Sequence, residues 1–291
     1  MRKQAEKGEA FRALHERAGA FIIPNPWDAG SACLLAHLGF EALATTSAGY
    51  AFSVGRPDSA IGREETLAHA TALVSATDLP VSADLENGFG DSPEAAAETI
   101  ALGAAAGLAG GSIEDRPART GAASGTASGA GVYDIAHATD RIRAAAEVVR
   151  NLPFRFTLTA RAENFIAGNP DLKDTIARLQ AYQEAGADVL FAPGLKSKED
   201  IGAVVRAVDR PVNVIMGLQG VQLSLADLSA LGVKRISVGS ALARAALGAF
   251  LRAAHELRDR GTFTFADDAI SYKDISTVFE SIESERRRIN N

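Results

Sequence analysis

Residues 81–95 read Val81-Ser82-Ala83-Asp84-Leu85-Glu86-Asn87-Gly88-Phe89-Gly90-Asp91-Ser92-Pro93-Glu94-Ala95. A largely apolar run closes on two acids, and a glycine-bearing turn follows. A serine cap, with proline at the first helical position and an acid behind it, then opens a helix. This is one strand–helix unit with its polar residues gathered at the strand's carboxyl end. Outward in both directions the unit recurs. Strands are predicted at Phe21–Pro24, Ala42–Ser47, Val81–Leu85, Ala109–Ile113, Phe154–Ala160, Val189–Ala192, Val212–Ile215 and Arg235–Val238. Helical stretches lie between them, opened by signals such as Ser197-Lys198-Glu199-Asp200 and carried on over Asp134–Arg150. Several close on Leu38-Gly39, Ala185-Gly186 or Leu231-Gly232, where glycine suits a left-handed last residue. Eight β/α repeats with no shift in composition predict a (β/α)8 barrel of the TIM type, one domain over 1–291. A helix is expected within 1–20 and a helical tail over 265–291. The rival, a doubly wound open sheet, would carry a glycine-rich dinucleotide loop after its first strand. Asn25-Pro26-Trp27-Asp28 is no such loop.

The chain has 291 residues, 47% hydrophobic and 23% charged, with a net charge of −6. That balance permits a large core and argues against a nucleic-acid partner, whose phosphates need a basic face. One cysteine, Cys33, excludes a disulfide framework and a cysteine-based zinc cluster. No apolar run approaches the roughly 20 residues that span a bilayer, so no membrane partner is expected. The charged start of the chain has no signal-peptide character, and a cytoplasmic location is the expectation.

In a barrel the chemistry lies at the carboxyl ends of the strands. Those ends supply Trp27 and Asp28, then Ser47-Ala48-Gly49-Tyr50, then Asp84, Glu86 and Asn87, then Glu114 and Asp115. Strand five adds Arg161, Glu163 and Asn164, and strand seven adds Asn213. Converging carboxylates repel one another unless a cation sits among them. Oxygen ligands without histidine or cysteine suit a hard ion, magnesium or manganese. All five histidines fall in helical stretches, where a packing or surface role is the plainer reading. Arg161 is suited to a substrate carboxylate by its planar fork, or else to an ion pair with Glu86 or Glu163. The Ser47-Ala48-Gly49 turn offers amides and a hydroxyl to an anionic group. The small-residue segment Ala118–Gly131 reads as a surface loop or as a mobile lid. Its place directly after an acidic strand end favours the lid.

With those residues assembled, the chain resembles the isocitrate lyase/phosphoenolpyruvate mutase superfamily from Phe21 to about Phe279. The resemblance rests on Asn25-Pro26-Trp27-Asp28, Thr46-Ser47-Ala48-Gly49, Gly55-Arg56-Pro57-Asp58 and Ala83–Gly90. It continues through Ser112-Ile113-Glu114-Asp115, Thr159-Ala160-Arg161 and Arg235–Gly239. It implies a barrel that binds magnesium and a 2-oxo acid or its enolate. It also implies a homodimer or homotetramer with the last helix exchanged between subunits. Carried over, Asp84 would be the direct metal ligand, with Asp58, Glu86 and Glu114 on metal-bound waters. Ser47, Ala48 and Gly49 would grip the substrate carboxylate, Arg161 would contact the oxo-acid end, and Trp27 would wall the pocket. Asn213 completes the substrate-binding candidates, and Asp58, Glu114 and Arg161 are the catalytic ones. Glu86 stands where an aspartate is frequent, which lengthens a water-mediated contact by a methylene.

The departures are instructive. Lyases of the superfamily carry a Lys-Lys-Cys-Gly-His lid whose cysteine is the acid/base. After Glu114-Asp115-Arg116-Pro117 this chain has no Cys, Lys or His in that segment, and Cys33 lies in the first barrel helix. Mutases and phosphonopyruvate hydrolases use an asparagine or threonine in a Lys-Thr-Asn-type lid, for which Thr120, Ser124 and Thr126 are the loose candidates, and Tyr133 is the residue that would stand in for the lyase acid/base. Ala192-Pro193-Gly194 lacks the usual glutamate or histidine. The expected activity is therefore that of a magnesium enzyme acting on a small 2-oxo or 2-hydroxy di- or tricarboxylate through an enolate. Carbon–carbon lyase or oxaloacetate-type decarboxylase action ranks first, because loss of carbon dioxide needs no group at the leaving side. Phosphorus–carbon chemistry, as phosphonopyruvate hydrolase or phosphonomutase, is the alternative. Binding of a 2-oxo acid without turnover is a third reading.

Overall fold

The computed structural model describes residues 2–117 and 131–290, the side chains of the last two excepted. Lid candidates Thr120, Ser124 and Thr126, and all of 118–130, lie outside the described residues. Eight parallel strands form one sheet: β1 (Phe21–Ile23), β2 (Leu43–Ala44), β3 (Val81–Asp84), β4 (Gly110–Glu114), β5 (Thr157–Arg161), β6 (Val189–Phe191), β7 (Val212–Ile215) and β8 (Arg235–Ser237). Pairing runs in sequence order from β2 to β8, and β8 turns back onto β1. Between β1 and β2 the ring is drawn together by Ala44 N–H donating to the Pro24 carbonyl at 3.1 Å. The result is a (β/α)8 barrel, nearly closed, and the open-sheet alternative is set aside.

The helices begin where short polar side chains can cap them. Ser92 accepts from Ala95 N–H and starts α5 (Pro93–Ala105), with proline at the first turn. Asp134 starts α6 (Ile135–Arg150), Asp171 α7 (Leu172–Ala185) and Ser197 α8 (Lys198–Ala207). Gly186 closes α7 at φ 111°, a backbone region that a side chain would strain. Leu85, Ile100, Leu108, Ile113 and Leu158, all at most 1% exposed, form the layer between barrel and helices. Helix α1 (Gln4–Glu16) covers the amino-terminal mouth and sinks Phe11 and Leu14 into it.

Two local outcomes differ from the sequence reading. The second strand is only two residues long, because Thr46 caps a helix, α3 (Ser47–Ser53), that starts where strand was expected. Strand five starts three residues later than Phe154 and ends on Arg161 itself. Beyond β8, helix α10 (Ala241–Arg260) buries only Ala243 and exposes Leu242, Leu247, Phe250, Leu251 and Leu257. A short 3-10 turn leads to α11 (Tyr272–Asn290). Its Ile282 packs with Cys33 and Leu35 of α2 (Ala29–His37), which places Cys33 in the first barrel helix.

Candidate active site

The carboxyl ends of β3, β4 and β5 bring Asp84, Glu114 and Arg161 together, because each is the last residue of its strand. Arg161 is the hub. Its Nη1 donates to Asp84 Oδ1 at 2.7 Å, its Nη2 lies 3.0 Å from Glu114 Oε2, and its Nε donates to Glu163 Oε1 at 2.8 Å. The Phe191 ring lies under the guanidinium, 5.4 Å from Cζ to centroid. The ion pair foreseen with Glu163 is present; Glu86 is no direct partner. Glu86 and Asp58 instead line the same acidic pocket with Glu114 and Arg161, Asp58 from an exposed loop. Glu86 adopts φ 48°, in the left-handed region. Its amide reaches Asp84 Oδ1 at 3.3 Å and its carbonyl accepts from Glu114 N–H at 2.9 Å. Non-glycine residues held this way are characteristic of functional sites.

Ser47, Ala48 and Gly49 form the first turn of α3, which meets the cluster at Asp84. Ser47 Oγ donates to Asp84 Oδ2 at 2.9 Å, so the cradle expected to hold a substrate carboxylate meets the Asp84 carboxylate here. Gly49 N–H is taken by the Thr46 cap at 3.2 Å, and Ser47 N–H by Asp84 Oδ2 at 3.4 Å. Gly49 itself is required by packing. A Cβ there would stand 2.5 Å from Thr46 Cγ2 and 3.3 Å from Trp27 Cβ. Trp27 thus sits behind α3, not at the wall of either cavity near the cluster. Asn213 is buried, donating to Ser237 Oγ and accepting from Arg235 Nε. Tyr133 is also away from the cluster, its hydroxyl bonded to Asp91 and Asn87.

Charge explains the cluster's poise. Three carboxylates, Asp84, Glu114 and Glu163, share one guanidinium. Glu86 is pushed up to about 7 by burial and by Asp84 and Asp58. Burial also raises Glu114 well above the usual range, against the pull of Arg161, and raises Glu163. The acidic pocket is lined by four acids, Asp58, Glu86, Glu114 and Glu163, against two arginines, Arg116 and Arg161.

Behind it lies a support built on Asp115, a strand-end residue to which the sequence assigned no role. Asp115, adjacent to Glu114, points the other way because neighbours on a strand face opposite sides. It accepts from Tyr182 Oη (2.6 Å), from Glu163 N–H (2.8 Å) and from Arg178 Nη1 (3.1 Å). The same Arg178 nitrogen also donates to the Tyr133 carbonyl at 2.8 Å. One side chain therefore ties the chain before residue 118 to the chain after residue 130.

No group of three or more acids, histidines or cysteines among the described residues is placed to hold a metal ion directly. Magnesium does not require one. It keeps several waters and takes one or two carboxylates. The oxygen-only donor set and the excess of acids over arginines fit such an ion.

Fold and site together define a (β/α)8 barrel with acids at the carboxyl ends of its strands. Residues 11–258 match the phosphoenolpyruvate phosphomutase family, and the chain belongs to it. The wider kinship is with the isocitrate lyase/phosphoenolpyruvate mutase superfamily. The chain is similar to a Burkholderia cenocepacia J2315 protein provisionally named a lyase/mutase. Their identity is 62%, over 95% of this chain and 97% of that one, with a TM-score of 0.90. It is 29% identical to the 2-methylisocitrate lyase of Halalkalibacterium halodurans, over 90% of this chain and 85% of the relative. A phosphonopyruvate hydrolase, crystallised with oxalate and Mg++, is 25% identical with a TM-score of 0.81, over 97% of each chain.

Proposed function

We propose that the chain is a magnesium-dependent enzyme that binds a small 2-oxo or 2-hydroxy di- or tricarboxylate and stabilises the enolate left when a bond at C3 breaks. Carbon–carbon lyase or oxaloacetate-type decarboxylase action is the first reading. The observation that carries it is the Arg161 hub, where Asp84, Glu114 and Glu163 crowd one guanidinium with Glu86 beside them. Asp84 would ligate magnesium, or manganese in its place, and Glu86, Glu114 and Asp58 would hold its waters. When bound, the ion supplies Lewis acidity to the 2-oxo group.

The protein groups do the rest. Ser47 and Ala48 amides grip the substrate carboxylate once Ser47 turns from Asp84. Arg161 exchanges part of its contact with the acids for the oxo-acid end of the substrate. The relatives named as a 2-methylisocitrate lyase and as an oxalate–magnesium complex support both halves of this reading. The family match also keeps phosphorus–carbon chemistry as the second reading.

The exposed apolar residues of α10 support self-association as a homodimer or homotetramer, with α10 docking on a second copy.

The test mixes protein and magnesium with oxaloacetate, isocitrate, 2-methylisocitrate or phosphonopyruvate and follows release of pyruvate, glyoxylate or phosphate. Asp84→Ala should abolish turnover and magnesium-dependent oxalate binding while the thermal transition persists. Full activity in that variant removes the metal role. If no substrate turns over and 2-oxoglutarate alone raises the melting temperature, binding without catalysis is the better account.

A further inference from the structure

Below the acidic cluster, on the barrel axis, lies a cation that the proposed chemistry does not use. Arg235 opens β8 and is 5% exposed. Its Nε donates to Asn213 Oδ1 (2.9 Å), its Nη2 donates to Thr159 Oγ1 (2.9 Å), and its Nη1 faces His15 Nε2 at 3.5 Å. Every one of these partners is neutral. His15, pushed down to about 3 by burial and by Arg235, carries no charge at physiological pH. Among the described residues Arg235 forms no ion pair, although a guanidinium taken out of water is costly without an anion. A guanidinium has five N–H donors, and these contacts occupy three.

Arg235 also borders a cavity of about 120 Å³. Arg235, Asn213 and Ser237 line it, as do Asp84 and Arg161, so one continuous space joins the lone cation to the acidic cluster. Thr159 and Arg161 are two residues apart on β5 and face the same side, which sets their levels roughly 6.6 Å apart.

We propose that Arg235 receives the distal carboxylate of an extended 2-oxo dicarboxylate whose oxo-acid end sits at Asp84 and Arg161. The proposal rests on the reading of that cluster as a 2-oxo acid site and specifies which acids it takes. An extended five-carbon diacid places its carboxyl carbons roughly 5 Å apart, given carbon–carbon bonds of about 1.5 Å. Fork-type hydrogen bonds to the guanidinium cover the remainder. A two-carbon diacid fills only the upper end and never meets Arg235.

Calorimetric titration of the full chain in magnesium, with oxalate and with 2-oxoglutarate as probes, separates the two claims. The wild-type chain should bind both. Arg235→Met should leave oxalate affinity within twofold and weaken 2-oxoglutarate at least thirtyfold. Should that variant fail to fold, Arg235→Lys, which keeps the charge and loses the fork, should weaken 2-oxoglutarate five- to tenfold and leave oxalate unchanged. Oxalate binding that persists while either folded variant holds 2-oxoglutarate as tightly as wild type makes Arg235 an internal brace and overturns the proposal. Equal weakening of both probes overturns it too. Absence of oxalate binding in the wild-type chain removes the 2-oxo acid reading itself, and this proposal with it.

Discussion

Glu86→Gln isolates the electrostatic strain of the acidic pocket. Burial and the neighbouring Asp84 and Asp58 push the Glu86 carboxyl up to about 7 from an ordinary 4.5. A folded-state value above the unfolded one means that ionisation opposes folding. The stability tied to the protonated group is complete below about pH 4.5 and is lost as pH rises through about 7. Between about pH 5 and pH 8.5 the loss amounts to about 2–3 kcal/mol, at 1.36 kcal/mol per tenfold displacement. Glutamine keeps the size and the left-handed backbone position of residue 86 and does not ionise. Background titrations are common to both proteins and cancel. Unfolding entropy of about 2.1 cal/mol/K per residue gives about 0.6 kcal/mol/K for a chain of this length. The melting temperature of Glu86→Gln relative to wild type should therefore climb by about 4 °C across that pH range. Scanning calorimetry in chelator, at half-unit pH steps, measures the gap directly. Parallel curves would mean that Glu86 ionises like a surface glutamate, and the account of the pocket as over-supplied with negative charge would be wrong.

Three further outcomes follow from named contacts. Arg161→Lys keeps one positive charge but cannot serve three carboxylates and a ligand at once, so magnesium-dependent oxalate affinity should fall tenfold or more by calorimetry. Gly49→Ala puts a methyl 2.5 Å from Thr46 Cγ2, a side chain already committed to capping α3; thermal denaturation should show a loss of about 1–3 kcal/mol. Phe250 is 66% exposed on α10, and Phe250→Glu should lower the mass seen by light scattering without lowering the stability of the isolated subunit.

The barrel was legible because alternation and caps are local signals. Ser92-Pro93, Ser197 and the glycines after α2, α7 and the helix before β8 each act within one turn of chain. The extent of β2 was not legible, since Thr46 can continue a strand or cap a helix and only the packing of Gly49 against Trp27 decides. Inspection of strand ends found Asp84, Glu114 and Arg161. It also picked out Asp115, which faces the opposite side of β4, and Asn164, which is bonded to Thr175. It passed over Arg235, the first residue of its strand. The available signal was a charged residue opening an otherwise apolar and hydroxylic run, Arg235-Ile236-Ser237-Val238. The partners of Arg161 were foreseen only in part, because side-chain reach across three strands is not encoded in spacing along one.

Arg178 fastens both stems of the chain at the rim of β4, through Asp115 on one side and the Tyr133 carbonyl on the other. One guanidinium therefore couples the end of β4, which carries Glu114, to the approach to α6, so loss of Arg178 would loosen both sides of the rim together. The hub at Arg161 keeps its own hydrogen bonds to Asp84 and Glu163, so the chemistry of the strand ends does not depend on that brace.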